Sequence, residues 1–272
     1  MKNNILKLSI AITILGISLW ACKKEETPIS TSPIEPSAMQ INEYDYIGQK
    51  HNEGLEYVYN KLVELKQNKT GELTKEAVVN KCIEYTNQFY NTIKGDEDND
   101  EDAYSLISNN INLPETYSNV SAYYNSNSNI TANTKGYLMQ LDNILSDENL
   151  SLSVIISQIN QLEQNAYSNL SDEEKYVFYS ATSTAKHTMT YWYNNIDNWK
   201  NLFDFNTEAD NTWYGNAARW DVSGAAGGAA GAWVANTIPI VGQVAYGAAI
   251  IVTGVSCSVG SAVKSFLDWV WR

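Results

Sequence analysis

Histidine, cysteine and clustered carboxylates are the side chains through which this chain could do chemistry, and they are few. Only His51 and His187 could act as a general base or a metal-binding imidazole. His51 falls on an apolar helix face, and a base there needs Glu53, Glu56 or a distant aspartate as its partner. Residues two apart point away from each other on a helix, so a core or capping histidine beside Asn52 is the plainer reading. Cys82 and Cys257 lack neighbours at zinc spacing. In an oxidising compartment they could bridge, and in apolar surroundings they could equally stay as buried thiols. Gly95 to Asp102 carries six acids after its glycine. Asp96, Asp98 and Asp100 match the first ligand positions of a calcium loop, but Glu101 and Ile107 stand where the turn glycine and the bidentate glutamate belong. A solvated acidic loop with at most weak divalent binding is expected. Nucleophile-elbow, zinc-protease, phosphate-loop and dinucleotide glycine patterns are missing from all 272 residues. Neither an enzyme, a cofactor nor a resident metal is expected.

The elements that must position these residues begin after an address. Lys2 and Lys7 precede an uncharged apolar run, Leu8 to Ala21, with the proportions of a secretory signal. It ends Leu19-Trp20-Ala21-Cys22, which resembles the bacterial lipobox. The resemblance implies that Cys22 is diacylated and becomes the mature N-terminus, anchored in a membrane without a spanning helix. Removing residues 1–21 takes away two lysines and no acid, leaving 16 basic against 31 acidic residues and a charge of −15. So acidic a surface repels a phosphate backbone, and nucleic acid is excluded as a partner. Lys23-Lys24-Glu25-Glu26 is similar to the short signals that send Bacteroidota lipoproteins to the cell surface; a hydrophilic tether is its other reading. Pro28, Pro33 and Pro36 among Ser and Thr make residues 22–40 an extended spacer. The localisation implied is the outer membrane, lipid-anchored, with surface exposure if the signal is read.

Behind the spacer, residues 41–220 read as a helical body. Ile47, Leu55, Val58, Leu62 and Leu65 recur at helical steps. Thr74 caps a second helix to Lys94, with Val79, Cys82, Phe89 and Ile93 along one side. Leu138, Leu141 and Leu145 mark a third, and Leu152, Ile155, Ile159, Leu162 and Ala166 a fourth after a polar break at Ser146 to Asn149. Asn112 to Thr134 shows little period and reads as loops with one short helix. Ser171 and Glu174 form a capping box for the longest helix, to Phe203, whose stripe Phe178, Ala181, Ala185, Thr188, Trp192, Ile196, Trp199 runs about 30 Å. An aromatic stripe of this kind is core rather than cofactor pocket.

The C-terminus, residues 221–272, differs from everything before it. Between Asp221 and Lys264 lie 42 residues without a charge, holding eight of the fifteen glycines. Gly224 with Gly228, and Gly227 with Gly231, make overlapping small-residue repeats that leave notches for close helix packing. Glycine costs a helix roughly 0.5–1 kcal/mol against alanine, so such a helix requires a partner surface. Pro239 breaks the run into a Gly/Ala-rich helical hairpin. Its second arm, Ile240 to Val263, is about 36 Å long and could cross a bilayer, and Phe266, Trp269 and Trp271 with Lys264 and Arg272 resemble an interfacial girdle. Three readings stay open: a hairpin buried in its own body, a membrane-active or self-associating hairpin, and a permanent transmembrane hairpin.

Tyr46-Ile-Gly-Gln-Lys-His-Asn-Glu-Gly-Leu55, the Leu170 to Tyr193 stretch and this tail together resemble a group of uncharacterised Bacteroidota lipoproteins. That resemblance carries no activity onto these positions. The tail alone is similar to the glycine-zipper segments of class II bacteriocins. The fold expected is all-α, an irregular multi-helix bundle with the C-terminal hairpin packed on it. The role expected is structural or interactive at the cell envelope, with protein or lipid contact through residues 222–263; a membrane-permeabilising, bacteriocin-like effector is the alternative, and a hydrolase using His51 a third.

Overall fold

The computed structural model describes residues 42–68, 74–94, 100–202, 211–235 and 243–263. The signal-like segment 1–21, the tether 22–40, Asp96 and Asp98, Phe203, the Pro239 break and the aromatic end 264–272 lie outside the described residues. Every regular element described is helical: α1 (Asp45–Asn68), α2 (Lys75–Ile93), α3 (Asp100–Ile111), α4 (Leu113–Thr116), α5 (Val120–Ser126), α6 (Ala132–Leu145), α7 (Leu152–Tyr167), α8 (Asp172–Leu202), α9 (Asn211–Ala235) and α10 (Gln243–Ser258), closed by a π-helical turn at Val259–Val263. The molecule is an all-α, multi-helix bundle.

Local chemistry explains where these helices start. The Thr74 hydroxyl accepts from the Ala77 amide at 3.2 Å, Asn119 from Ala122 at 2.9 Å and Thr131 from Thr134 at 3.1 Å, each satisfying an amide that a helix start leaves unpaired. Ser171 and Glu174 form the reciprocal box: the Ser171 amide donates to the Glu174 carboxylate at 2.9 Å, and the Glu174 amide donates back to the Ser171 hydroxyl at 3.3 Å. Glu174 also accepts from the Thr131 hydroxyl at 2.6 Å, which ties the start of α6 to the start of α8. Burial works to raise this carboxyl, but hydrogen bonds from Thr131, Ser171 and Asn133 outweigh it and hold it below its ordinary value. Ser171→Ala is expected to cost about 1 kcal/mol in thermal denaturation, with the helical signal otherwise intact. Ile130 and Leu170, directly before two of these caps, turn into the core and fix the angle of chain entry.

Two expectations need correction here. Asn112 to Thr134 holds two short helices and the start of a third rather than loops around one. Pro114 suits the first turn of α4, and Asn119 caps α5, which buries Val120, Tyr123 and Tyr124. Seven residues are fewer than two turns, too short for a period to show in sequence. The acidic stretch also ends sooner than a loop to Asp102 implies, because α3 already begins at Asp100.

α8 runs through the middle of the bundle, packed on α1, α9, α7 and α6. Its expected stripe is in place, with Phe178, Ala181, Ala185, Thr188, Trp192 and Trp199 wholly buried and Ile196 nearly so. One stripe understates the burial, since Val177 to Ala185 are covered without a break. Several helices pack on this segment and enclose its small hydroxyl side chains, of which Thr182 and Ser183 bond to neighbouring helices. Thr182 donates to Glu163 at 2.5 Å, and Ser183 to the Asp45 carbonyl at 3.0 Å. Glu163 also accepts from Asn42 at 2.8 Å and pairs with Lys186 at 3.0 Å, pinning the chain's entry into the fold. The break between α6 and α7 falls where the polar residues Ser146 to Asn149 put it.

The glycine-rich arms are α9 and α10, and they pack on each other as a helical hairpin. α10 is surrounded, with α9, α1, α3 and α2 against it, while α9 sits between α10 and α8 and also touches α5 and α6. Body and hairpin belong to one compact unit, residues 41–272. A boundary at 220/221 falls inside α9, because the charge-free stretch marks a change of composition and not the start of the helix.

Candidate functional site

The hairpin's seam, where its two arms meet each other and the body, holds His51, Cys257 and two of the expected notch glycines. Its spacing is set by glycines. A Cβ placed on Gly224 would lie 2.6 Å from the Cys257 sulfur and 2.7 Å from the Thr253 carbonyl oxygen on α10. One on Gly228 would collide with the Thr253 hydroxyl. These two let the arms approach backbone to backbone. Gly227 faces a different neighbour, the Tyr123 hydroxyl of α5, and Gly231 meets nothing within 4 Å among the described residues. The four residues therefore divide into two contacts between the arms, one contact with the body and one position open among the described residues. Sequence reading missed Gly54 and Gly254, which do for α1 and α10 what Gly224 does for α9. A Cβ on Gly54 would stand 2.6 Å from Val255, and one on Gly254 2.9 Å from the His51 ring. No period in α1 announces this, since Gly54 matters only because α10 lies over it.

Polar groups cross the same seam. His51 on α1, Asp221 on α9, Thr188 on α8 and Ser258 on α10 have no solvent exposure. His51 Nε2 lies 3.8 Å from Asp221 Oδ2, which also accepts from the Ser258 hydroxyl at 2.6 Å and from the Thr188 hydroxyl. His51 Nδ1 meets Asn52 Oδ1 at 3.1 Å, and Asn52 donates its amide to the His187 carbonyl at 2.9 Å. His187 in turn lies 3.1 Å from Asp45 at the half-exposed rim. The distant aspartate that His51 needed is thus Asp221, and both histidines belong to one chain of contacts through Asn52. On its outer side Asn52 lines a groove of about 610 Å³ with Tyr57, Phe89 and Tyr191.

Burial dominates the electrostatics. It raises the Asp221 carboxyl to about 7, against hydrogen bonds from Ser258, Thr188 and Trp192 that work the other way. It lowers the His51 imidazole to about 4, opposed by Asn52 and the Gly254 backbone. Each group is held toward its neutral form, as expected where the charged form would lose its water. For acyl transfer, a hydroxyl must deliver its proton to the imidazole. Here the Ser258 and Thr188 hydroxyls donate to the carboxylate instead, so the arrangement arms no nucleophile.

Cys82 and Cys257 are both free and wholly buried, which corrects the bridge that oxidising conditions could have formed. The Cys257 thiol is engaged by α3 at 3.4 Å from the Asn110 carbonyl, and burial pushes both thiols up. Such thiols are poor nucleophiles and poor metal ligands. Among the described residues no group of three His, Cys, Asp or Glu side chains could hold a metal ion. Nor is any described helix long and apolar enough to cross a membrane. The second arm, expected as one 24-residue segment, is described from Gln243 and turns π-helical at Val259. No family model, curated protein or solved structure matches the chain.

Proposed function

We propose that this is a cell-envelope lipoprotein, held at the outer membrane through an acylated Cys22, whose folded domain has a structural or interaction role and no catalysis. The observation that carries the reading is the enclosure of the glycine-rich hairpin by its own body. Val222 to Ala226 and Ile250 to Gly260 are buried without a break, so the partner surface that a glycine-dense helix requires is supplied within the chain. The hairpin is then a scaffold element, and the acidic outer faces of the body meet the partner. A charge of −15 on the mature chain favours basic or cation-bridged partners over nucleic acid.

Two measurements test this reading. Cys22→Ala should move the protein from the membrane pellet to the soluble envelope fraction; a variant that stays with the membrane removes the lipid anchor from the scheme. The mature protein should leave dye-loaded liposomes intact. Leakage that needs the hairpin, and disappears on truncation at Asp221, would establish the membrane-permeabilising alternative instead.

A further inference from the structure

The contact between Asp221 and His51 is unusual for what it lacks. Both side chains are wholly buried and 3.8 Å apart, too far for a hydrogen bond between them; Asp221 is held instead by Ser258, Thr188 and Trp192, and His51 by Asn52 and the Gly254 backbone. Two full charges there would give up their water for an attraction without a hydrogen bond, which seldom repays the loss. Among the described residues no other charge is placed to help. From α8 come Thr188, Trp192 and, beyond Asn52, His187; from α10 come Ser258, the Gly254 backbone and the neutral Cys257 thiol. Arg219, two residues before Asp221 on α9, is engaged with Asp142 of α6.

We propose that Asp221 and His51 form a one-proton latch, a neutral carboxyl facing a neutral imidazole, that holds the hairpin in the body with a strength insensitive to pH over the mildly acidic range. The pair spans the seam, with one member on the hairpin and the other on the body, so any opening of α9 and α10 exposes both to water. There they regain ordinary values, 3.8 for the carboxyl and 6.5 for the imidazole. Between those values the open form carries one proton, on His51, with Asp221 ionised. From about 4 upward the closed form also carries one, on Asp221, with His51 neutral. Equal proton counts mean that opening neither takes up nor releases protons, so its equilibrium does not respond to pH.

Removing either partner unbalances the count, with opposite signs. In Asp221→Asn only His51 titrates: it is neutral when closed and protonated when open, so opening becomes about tenfold easier for each unit that pH falls from 6.5 toward 4. In His51→Gln only Asp221 titrates: it is protonated when closed and ionised when open, so opening becomes about tenfold easier for each unit that pH rises from 3.8 toward 7.

The test is hydrogen exchange by mass spectrometry on the full mature protein, read on α9 and α10 peptides and corrected for intrinsic exchange. A flat profile for the wild type and opposite slopes for the two variants are expected. Slopes of one sign in both variants, or a wild-type slope of a decade per pH unit, overturn the latch. Isotope-edited infrared spectra give a second reading that needs only one folded variant. A protonated aspartic carboxyl band should persist in the wild type at about pH 6, where exposed carboxylates are ionised, and survive in His51→Gln. An ionised Asp221 in the wild type at that pH refutes the proposal.

Discussion

Gly224→Val should cost the fold about 3 kcal/mol or more, while Gly231→Ala should raise its stability by about 0.5–1 kcal/mol. The two glycines lie in the same arm, two turns apart, and composition treats them alike. What separates them is the far side of the contact. At Gly224 even the first added carbon meets the Thr253 carbonyl oxygen at 2.7 Å and its carbon at 3.1 Å. Those are backbone atoms held by the hydrogen bonds of α10, so relief requires the arms to separate rather than a side chain to turn. At Gly231 nothing among the described residues lies within 4 Å, and alanine simply removes the entropy that glycine costs a helix. Gly136 on α6, exposed and equally open, should respond as Gly231 does. Urea denaturation of the three variants checks the ordering; equal losses at Gly224 and Gly231 would mean that the arms are not in close contact.

What was legible in the sequence follows the range of the forces involved. The starts of α2 and α8 were legible because a cap is settled within one turn: Thr74 needs only Ala77, and Ser171 needs only Glu174. The pause between α6 and α7 and the stripe on α8 were legible because burial repeats with the helical period over many residues. The full burial of Val177 to Ala185 was not, since it depends on α1, α6 and α7 all packing on that segment. Likewise the notches were legible as small residues, but not as contacts, because Gly227 finds Tyr123 a hundred positions away and Gly231 finds nothing among the described residues. Asp221 was visible only as the last charge before a long neutral stretch. Its pairing with His51 joins residues from opposite ends of the folded domain, and no local pattern encodes that.

Arg219→Leu is expected to destabilise the protein by about 3 kcal/mol, most of it recovered when Asp142→Leu is added. Arg219 reaches from α9 to α6 with a two-pronged contact: its Nε donates to one oxygen of Asp142, and a terminal nitrogen donates to the other at 3.1 Å. The side chains are 23% and 11% exposed, so removing the arginine strands a carboxylate that water reaches poorly. Replacing both removes the stranded charge and offers two apolar groups beside the buried Tyr124 ring, which neighbours both side chains. A double-mutant cycle by denaturation checks this, and a double variant no better than Arg219→Leu would show that the pair contributes shape and not charge. Arg219 and Asp221 stand two residues apart on one helix, yet they resolve burial in opposite ways because they face different sides. Toward the edge of the body, where some water remains, a charge is kept and paired; inside the seam, where none does, the charge is given up.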